Sequence, residues 1–262
     1  MNRIDKTFEA LKKEGHAALI TYIMAGYPRG LDSAKTITAI ADAGADLIEV
    51  GIPFSDPLAD GATIQKASEE SLAGGMTPNK ALAAVAEARK VTQTPILVMT
   101  YYNIIFRYGL EPFAEAAAAA GVDGAIVPDL PPEEAGKWQT AAGAQGLGTV
   151  FLVAPTSSPA RIRGAAEASD GFVYCVSLAG VTGGRAKLAP GLPAFIETVK
   201  QTTDKPVAVG FGVSTAAQAA ELSRLADGVI VGSALIDRLA AGGAEGVASA
   251  AGFISELKAE MR

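Results

Sequence analysis

The amino-acid sequence predicts a closed (β/α)8 barrel, and three observations support this α/β fold. Eight short apolar runs alternate with helical patterns along the chain, and each run is apolar nearly throughout, as expected for parallel strands covered on both faces. Several helical patterns begin with proline, which is tolerated in the first turn of a helix. No linker or charge run divides the 262 residues, so we expect a single domain over residues 1–262.

The elements follow one another in the order that such a barrel, also called a TIM barrel, requires. An amphipathic stretch at 3–13 predicts an extra N-terminal helix before the first strand. The eight predicted strands are 18–25, 47–52, 96–101, 124–128, 148–153, 172–177, 207–210 and 228–231. The helices predicted between them are 33–43, 64–72, 78–90, 112–120, 132–144, 159–168, 190–201 and 215–224. After strand 8 we expect a short extra helix at 234–240 and a longer one at 244–258.

The competing α/β fold is an open, doubly wound sheet. That fold usually carries a glycine-rich dinucleotide-binding turn after its first strand. Here the first strand ends Met24-Ala25-Gly26-Tyr27-Pro28, which does not fit that pattern. The sequence therefore favours the barrel.

The composition narrows the classes of function. The chain has 22 Lys and Arg against 28 Asp and Glu, a formal net charge of −6, and no basic cluster that would suit nucleic acid or an anionic membrane. Its one cysteine, Cys175, excludes an internal disulfide, and no signal peptide or membrane-length apolar run is visible, so we expect a cytoplasmic protein. Its one histidine, His16, excludes a metal site built from several imidazoles.

Two glycine motifs follow the seventh and eighth predicted strands. They read Gly210-Phe211-Gly212-Val213-Ser214 and Gly232-Ser233, and the second runs directly into a predicted helix. In this fold the common phosphate site lies at these two strand ends. Neither motif contains lysine or arginine, so backbone N–H groups would hold most of the phosphate. The alternative is that the glycines are ordinary turn residues and that Ser233 is a helix N-cap.

Glu49 lies within an otherwise apolar predicted strand, near its C-terminal end. A buried carboxylate there is costly unless it is used, and desolvation would raise its pKa and prepare it for proton transfer. Asp60 follows on the loop after this strand, where it is either the N-cap of the next helix or a second carboxylate at the same mouth. Asp129, in a proline-rich turn after strand 4, could face that mouth too.

The remaining candidates are aromatic residues and lysines. Tyr101, Tyr174 and Phe211 lie at strand ends, where they either enclose a flat apolar substrate or pack in the core. The glycine-rich loop 178–189 is a candidate lid. A Schiff-base mechanism would need a lysine near the C-terminal end of a strand. Lys205 precedes its strand and Lys187 lies on the loop, so neither fits.

The residues quoted above resemble the tryptophan synthase alpha chain family. The similarity is most specific in segment 49–61, EVGIPFSDPLADG, and continues at Gly180-Val181-Thr182-Gly183 and in the two glycine motifs, so that it spans essentially the whole chain. It implies a carbon–carbon lyase of tryptophan biosynthesis that splits indole-3-glycerol phosphate into indole and glyceraldehyde 3-phosphate. Leu178 departs from relatives that carry arginine at that position.

The resemblance also implies roles for individual residues. Glu49 would handle the protons of the glycerol hydroxyl and the indole carbon, and Asp60 would hold the indole N–H. Thr182 would hydrogen-bond Asp60 on loop closure. The implied phosphate ligands are Gly183, Gly212, Gly232 and Ser233. The implied indole pocket is lined by Tyr22, Tyr101, Tyr174 and Phe211.

The resemblance implies a partner as well. The alpha chain would dock on a beta subunit in an alpha2-beta2 heterotetramer, with Pro53, Asp56 and Asp129 facing it. This chain would hold no cofactor itself, and pyridoxal phosphate would be bound in the beta subunit. The alternatives are a stand-alone indole-3-glycerol phosphate lyase, a phosphosugar isomerase barrel that shares the glycine motifs, and an inactive barrel that serves as an allosteric subunit.

Overall fold

Nine parallel strand segments form the wall of the barrel in the computed structural model, which describes residues 2–176, 191–210 and 212–262. The segments are β1 Ala18–Met24, β2 Leu47–Gly51, β3 Ile96–Met99, β4 Gly124–Ile126, β5 Gly148–Val150, β6 Leu152–Val153, β7 Val173–Val176, β8 Val207–Gly210 and β9 Gly228–Val231. Their order is β5-β4-β3-β2-β1-β9-β8-β7-β6.

The two edge segments of this order, β5 and β6, are one run of chain. They are separated only by Phe151, whose carbonyl accepts a hydrogen bond from the Tyr174 N–H at 3.1 Å. One half of the run pairs with β4 and the other half with β7, so the sheet closes on itself. The predicted eight-stranded barrel is confirmed, with its predicted fifth strand split at Phe151.

Helices surround the wall. Within the described ranges they are α1 Arg3–Glu14, α2 Ser33–Asp42, α3 Ala62–Ala73, α4 Pro78–Arg89, α5 Tyr102–Tyr108, α6 Leu110–Ala119, α7 Gly136–Ala144, α8 Pro159–Ala168, α9 Leu192–Lys200, α10 Ala216–Ser223, α11 Ser233–Leu239 and α12 Gly243–Glu260. The extra N-terminal helix and the short extra helix after the last strand are both present, as α1 and α11. None of the described helices has the length and apolar character needed to span a bilayer.

Two helix predictions were wrong. The sequence did not predict α5, because its residues are mostly aromatic or β-branched and have modest helix propensity. The predicted helix 132–144 is a 3-10 turn, Pro132–Glu134, followed by α7. The 3-10 turn and α7 meet just before Gly136, and glycine is a poor helix former.

The core has two layers. Inward-facing side chains of the strands, such as Ile20, Leu47 and Leu97, form one cluster with Ile4 and Phe8 of α1. Outward-facing side chains pack against the helices in a second, larger cluster. The first helix therefore plugs the N-terminal end of the barrel.

The α1 helix fits here because the residues it contacts near the strand ends include glycine. Ion pairs also hold it in place. A Cβ added at Gly171 would come within 2.6 Å of Ile4 Cγ2. Asp123 forms ion pairs with Arg3 of α1 at 2.9 Å and with Arg89 of α4 at 2.8 Å. Because α1 covers this end, we expect the site at the C-terminal ends of the strands, where active sites of this fold are found.

Candidate active site

Glu49 is completely buried inside the barrel. On the inward face of β2 it lies between Leu47 and Gly51. The intervening residues, Ile48 and Val50, pack in the outer cluster. Neither of its carboxyl oxygens has a hydrogen-bond partner among the described residues. Burial raises the pKa of this carboxyl to about 8. A carboxyl in that state can give and take a proton near neutral pH.

Asp60 lies half-buried on the loop that follows β2. The N-cap of α3 is Gly61, which makes no side-chain cap, so the alternative that Asp60 caps this helix is wrong. Burial raises the pKa of Asp60 to about 6, and a hydrogen bond from the Tyr101 hydroxyl partly opposes that rise. The carboxyl of Asp60 is thus free of the helix and titrates about two pH units below Glu49.

Tyr101 fixes the loop that carries Asp60. Its hydroxyl accepts a hydrogen bond from the Ala59 N–H at 2.9 Å. Its ring stacks on Phe54, with 5.1 Å between centroids and 29° between planes. Burial, followed by the nearby Asp60, raises the pKa of this phenol above its ordinary value. Tyr101 therefore remains a hydrogen-bond donor at neutral pH.

Two further tyrosines line the interior beside these carboxyl groups. Tyr22 on β1 and Tyr174 on β7 are both buried. Their rings occupy space left by glycines, since a Cβ at Gly51 would collide with the Tyr22 hydroxyl and one at Gly210 would lie 3.1 Å from the Tyr174 hydroxyl. Burial raises the pKa of both phenols well above the ordinary value, and the charges of Glu49 and Asp60 raise it further.

The two glycine motifs meet at the same end of the barrel. The strands that precede them, β8 and β9, are neighbours. Gly212 has φ +67°, in the left-handed region that favours glycine. Gly232 is the N-cap of α11 and makes no side-chain cap, so Ser233 is the first helical residue and the N-cap alternative for it is wrong. Thr182, Gly183, Phe211 and Leu178 lie outside the described residues.

The outer rim of this end carries the residues predicted to face a partner. Pro53 is buried, whereas Asp56 and Asp129 are exposed. The Asp129 carboxylate accepts a hydrogen bond from the Tyr102 N–H at 2.8 Å, at the start of α5, and its charge contributes to the raised pKa of Tyr101.

Sequence reasoning missed two exposed apolar side chains on this rim. Leu58 is 92% exposed and Phe106 is 62% exposed. The Pro-Leu turn at 57–58 offered a signal for the first. Phe106 offered none, because α5 itself was not predicted.

The histidine, the lysine and the cysteine to which the sequence assigns no catalytic role have structural surroundings. His16 lines a cavity at the plugged end. The Lys205 ammonium donates to the carbonyls of Glu167 and Ser169. Cys175 is buried, which raises its thiol pKa to about 12, as expected for a small apolar filler. No group of three His, Cys, Asp or Glu suited to a metal occurs within the described ranges.

Comparisons with known sequences agree with this geometry. The family model described as tryptophan synthase alpha chain matches residues 8–261. The tryptophan synthase alpha chain of Roseiflexus sp. (strain RS-1) is 49% identical over 260 residues, which is 98% of this chain and 100% of the relative. That of Chloroflexus aggregans is 48% identical over 259 residues, which is 98% of this chain and 97% of the relative.

Solved structures give the same result. A chain in the structure of Mycobacterium tuberculosis tryptophan synthase in space group F222 has a TM-score of 0.92 and 43% identity, covering 100% of this chain and 98% of that one. Tryptophan synthase subunit alpha from Legionella pneumophila str. Paris has a TM-score of 0.92 and 37% identity, with 100% and 98% coverage. These similarities favour the lyase over the isomerase alternative. The chain belongs to the tryptophan synthase alpha chain family.

Proposed function

We propose that Glu49 and Asp60 perform the chemistry of the reaction that this lyase catalyses, the cleavage of indole-3-glycerol phosphate to indole and glyceraldehyde 3-phosphate. The observation that carries the proposal is the state of Glu49: fully buried at the open end of the barrel, with neither oxygen paired among the described residues. Such a carboxyl costs free energy in the folded protein. A catalytic role accounts for keeping it there.

The reaction needs one proton at the indole carbon and the loss of one proton from the side-chain hydroxyl. Protonated Glu49 gives its proton to C3 of the indole ring, which leaves positive charge at the ring nitrogen. The resulting Glu49 carboxylate then takes the hydroxyl proton as the carbon–carbon bond breaks. The bonding electrons return to the ring, the hydroxyl carbon becomes the aldehyde, and Glu49 ends protonated again.

Asp60 supports these proton transfers through its negative charge. As a carboxylate it accepts the indole N–H and stabilises the positive ring that forms after protonation. Its pKa of about 6, against about 8 for Glu49, lets one group be ionised while the other carries a proton at pH 7. The ring itself stores the electron pair, so we propose that this chain needs no cofactor of its own.

The phosphate would lie between the two glycine motifs. Backbone N–H groups near Gly212 and Gly232 and the Ser233 hydroxyl are the proposed ligands, with Gly183 contributing from the glycine-rich loop. Tyr22, Tyr101 and Tyr174 would surround the indole ring, with Phe211 as a fourth aromatic residue. This arrangement spans the mouth from the carboxylates on β2 and its following loop to the ends of β8 and β9. Of these two strands, β9 is the neighbour of β1.

We also propose that the rim formed by Asp56, Leu58, Phe106 and Asp129 binds a pyridoxal-phosphate beta subunit in an alpha2-beta2 assembly. Leu58 and Phe106 are large apolar side chains that are exposed on this rim. Exposed apolar groups that lie together are typical of a binding surface. Leu58 is two residues from Asp60, so a partner bound there would influence the catalytic loop directly. A single buried cysteine suits the reducing cytoplasm, where we propose that this enzyme works.

The deciding experiment is an indole-release assay on indole-3-glycerol phosphate, with and without a beta subunit. We expect Glu49→Gln and Asp60→Asn each to reduce turnover at least roughly a hundredfold, the usual scale for a positioned proton carrier. Glu69→Gln, at an exposed site on α3, is the matched control and should retain full activity. Turnover close to wild type in either active-site variant would refute the assigned roles, and strong activity unaffected by the beta subunit would favour a stand-alone lyase.

A further inference from the structure

Tyr22 lies directly opposite Glu49. The two residues are register partners on the neighbouring strands β1 and β2. The Tyr22 ring extends along the barrel axis toward the mouth, because its hydroxyl lies where a side chain at Gly51 would begin. Gly51 is the next inward-facing position after Glu49 on the same strand.

This geometry sets the separation between the two polar groups. Inward-facing positions two residues apart on a strand are about 6.6 Å apart. The Tyr22 hydroxyl, beside the Gly51 position, therefore lies one inward-facing position nearer the mouth than the backbone of Glu49. No direct hydrogen bond joins them, since both Glu49 oxygens are unpaired among the described residues.

Within the part of the chain that the structure describes, the Tyr22 hydroxyl has no strong acceptor either. The contact that the structure gives it is to the thioether sulfur of Met24 at 4.0 Å, and thioethers are weak acceptors. A buried hydroxyl in this position is unfavourable for folding, whereas phenylalanine would fill the same space without that cost. Two poorly satisfied polar groups thus lie on paired inward-facing residues of β1 and β2, at the proposed reaction centre.

We propose that Tyr22 is a substrate-orienting residue whose hydroxyl donates to the oxygen of the substrate hydroxyl that Glu49 deprotonates. This inference rests on the proposed role of Glu49. The substrate oxygen would accept from Tyr22 through one lone pair and point its own hydrogen at the Glu49 carboxylate. When the carbon–carbon bond breaks, this oxygen becomes the aldehyde carbonyl and still accepts from Tyr22. No proton leaves Tyr22 at any step.

The surroundings keep Tyr22 in the donor form. Its pKa is raised well above the ordinary value, first by burial and then by the charges of Asp60 and Glu49, with Tyr101 contributing less. These groups and Tyr174 are the titratable side chains that interact with it. The proposal also predicts selectivity, because a ligand without the hydroxyl next to the ring would gain nothing from Tyr22.

The test compares two ligands in the Glu49→Gln background, where turnover does not interfere with binding. The first is indole-3-glycerol phosphate. The second is indole-3-propyl phosphate, which keeps the ring and the phosphate but lacks both hydroxyls. We expect Tyr22→Phe to raise the dissociation constant of the first roughly tenfold, the scale of one hydrogen bond, and to leave that of the second unchanged. Tyr108→Phe is the control, since that hydroxyl donates to Asn79 Oδ1 at 2.6 Å on the surface.

The outcomes are distinct. Equal weakening of both ligands would show that Tyr22 only fills space, and no change for either would overturn the proposal as well. If Tyr22→Phe fails to fold, the unmodified Tyr22 protein still gives an answer, because it must bind the analogue that lacks only the hydroxyl next to the ring at least roughly tenfold more weakly than indole-3-glycerol phosphate. Turnover of Glu49→Gln alone tests the proposed function separately from this inference.

Discussion

The hydroxyl of Tyr101 accepts a hydrogen bond from the backbone N–H of Ala59 at 2.9 Å, and it also hydrogen-bonds the carboxyl of the next residue, Asp60. Tyr101 is itself the N-cap residue of α5, whose first N–H is bound by Asp129. One phenol therefore connects the proposed partner surface to a proposed catalytic carboxylate.

Removing that hydroxyl should affect the chemistry more than the fold. We expect Tyr101→Phe to lower turnover roughly tenfold, because the loop and the Asp60 carboxyl lose a shared anchor. The pKa of Asp60 should also rise, since the Tyr101 hydrogen bond lowers it. Steady-state kinetics across pH measure both effects. Tyr102→Phe on the same helix is the matched control, and an unaltered Asp60 pKa in Tyr101→Phe would contradict the linkage.

The dependence of kcat/KM on pH should be bell-shaped. Asp60 must be ionised, which gives an acid limb near pH 6, and Glu49 must start protonated, which gives an alkaline limb near pH 8. Each limb should fall about tenfold per pH unit. Asp60→Asn should lose the acid limb. A rate that instead rises through pH 8 to a plateau would mean that Glu49 begins the reaction as a base.

Glu49 should also make stability depend on pH. Its pKa is about 8 in the folded protein against 4.5 as the ordinary value. Below about pH 4.5 it is protonated in both the folded and the unfolded state and has no effect. Between those two values the unfolded chain releases the proton and the folded protein keeps it, so the free energy of unfolding falls by up to about 1.4 kcal/mol per pH unit as the pH rises.

Denaturant titrations of the wild type and Glu49→Gln from pH 5 to pH 8 measure this contribution. Glutamine does not ionise, so the advantage of Glu49→Gln over the wild type should grow steadily with pH. A difference that stays constant across the range would show that Glu49 is not desolvated in solution.

The phosphate proposal predicts a role for Ser233. Ser233→Ala should weaken binding of glycerol 3-phosphate roughly tenfold, because a hydrogen bond to a charged group is lost. Isothermal titration measures the affinity directly. Ser223→Ala is the control, since that hydroxyl donates to the Ala220 carbonyl within α10. Unchanged affinity in Ser233→Ala would remove Ser233 from the phosphate site.

The rim predicts an effect on assembly. Leu58→Glu should weaken binding of a beta subunit at least roughly tenfold, because burying the new charge at an interface is costly. Val91→Glu is a matched control, since Val91 is also apolar and 71% exposed but lies between α4 and β3 at the opposite end of the barrel. Equal binding by both variants would move the partner surface elsewhere.

The sequence by itself determined the parts of this protein that depend on local pattern. Continuous apolar runs marked the strands, and Glu49 stood out because it is a charged residue within such a run. The glycine motifs at 210–214 and 232–233 likewise marked two strand ends. A glycine-rich turn can be recognised from the local sequence, without knowledge of which segments lie beside it.

Only the tertiary structure decided what depends on contacts between distant segments. The sequence left Asp60 as either a helix cap or a second carboxylate. In the structure Gly61 is the N-cap of α3, and the Asp60 carboxyl is hydrogen-bonded by Tyr101, 41 residues later. Helix α5 forms from residues of modest propensity, with its N-terminus bound by Asp129 from the next strand's turn. The opposition of Tyr22 to Glu49 exists only because β1 and β2 pair in one register. Local composition cannot encode such pairings, because they are selected by the packing of the whole barrel.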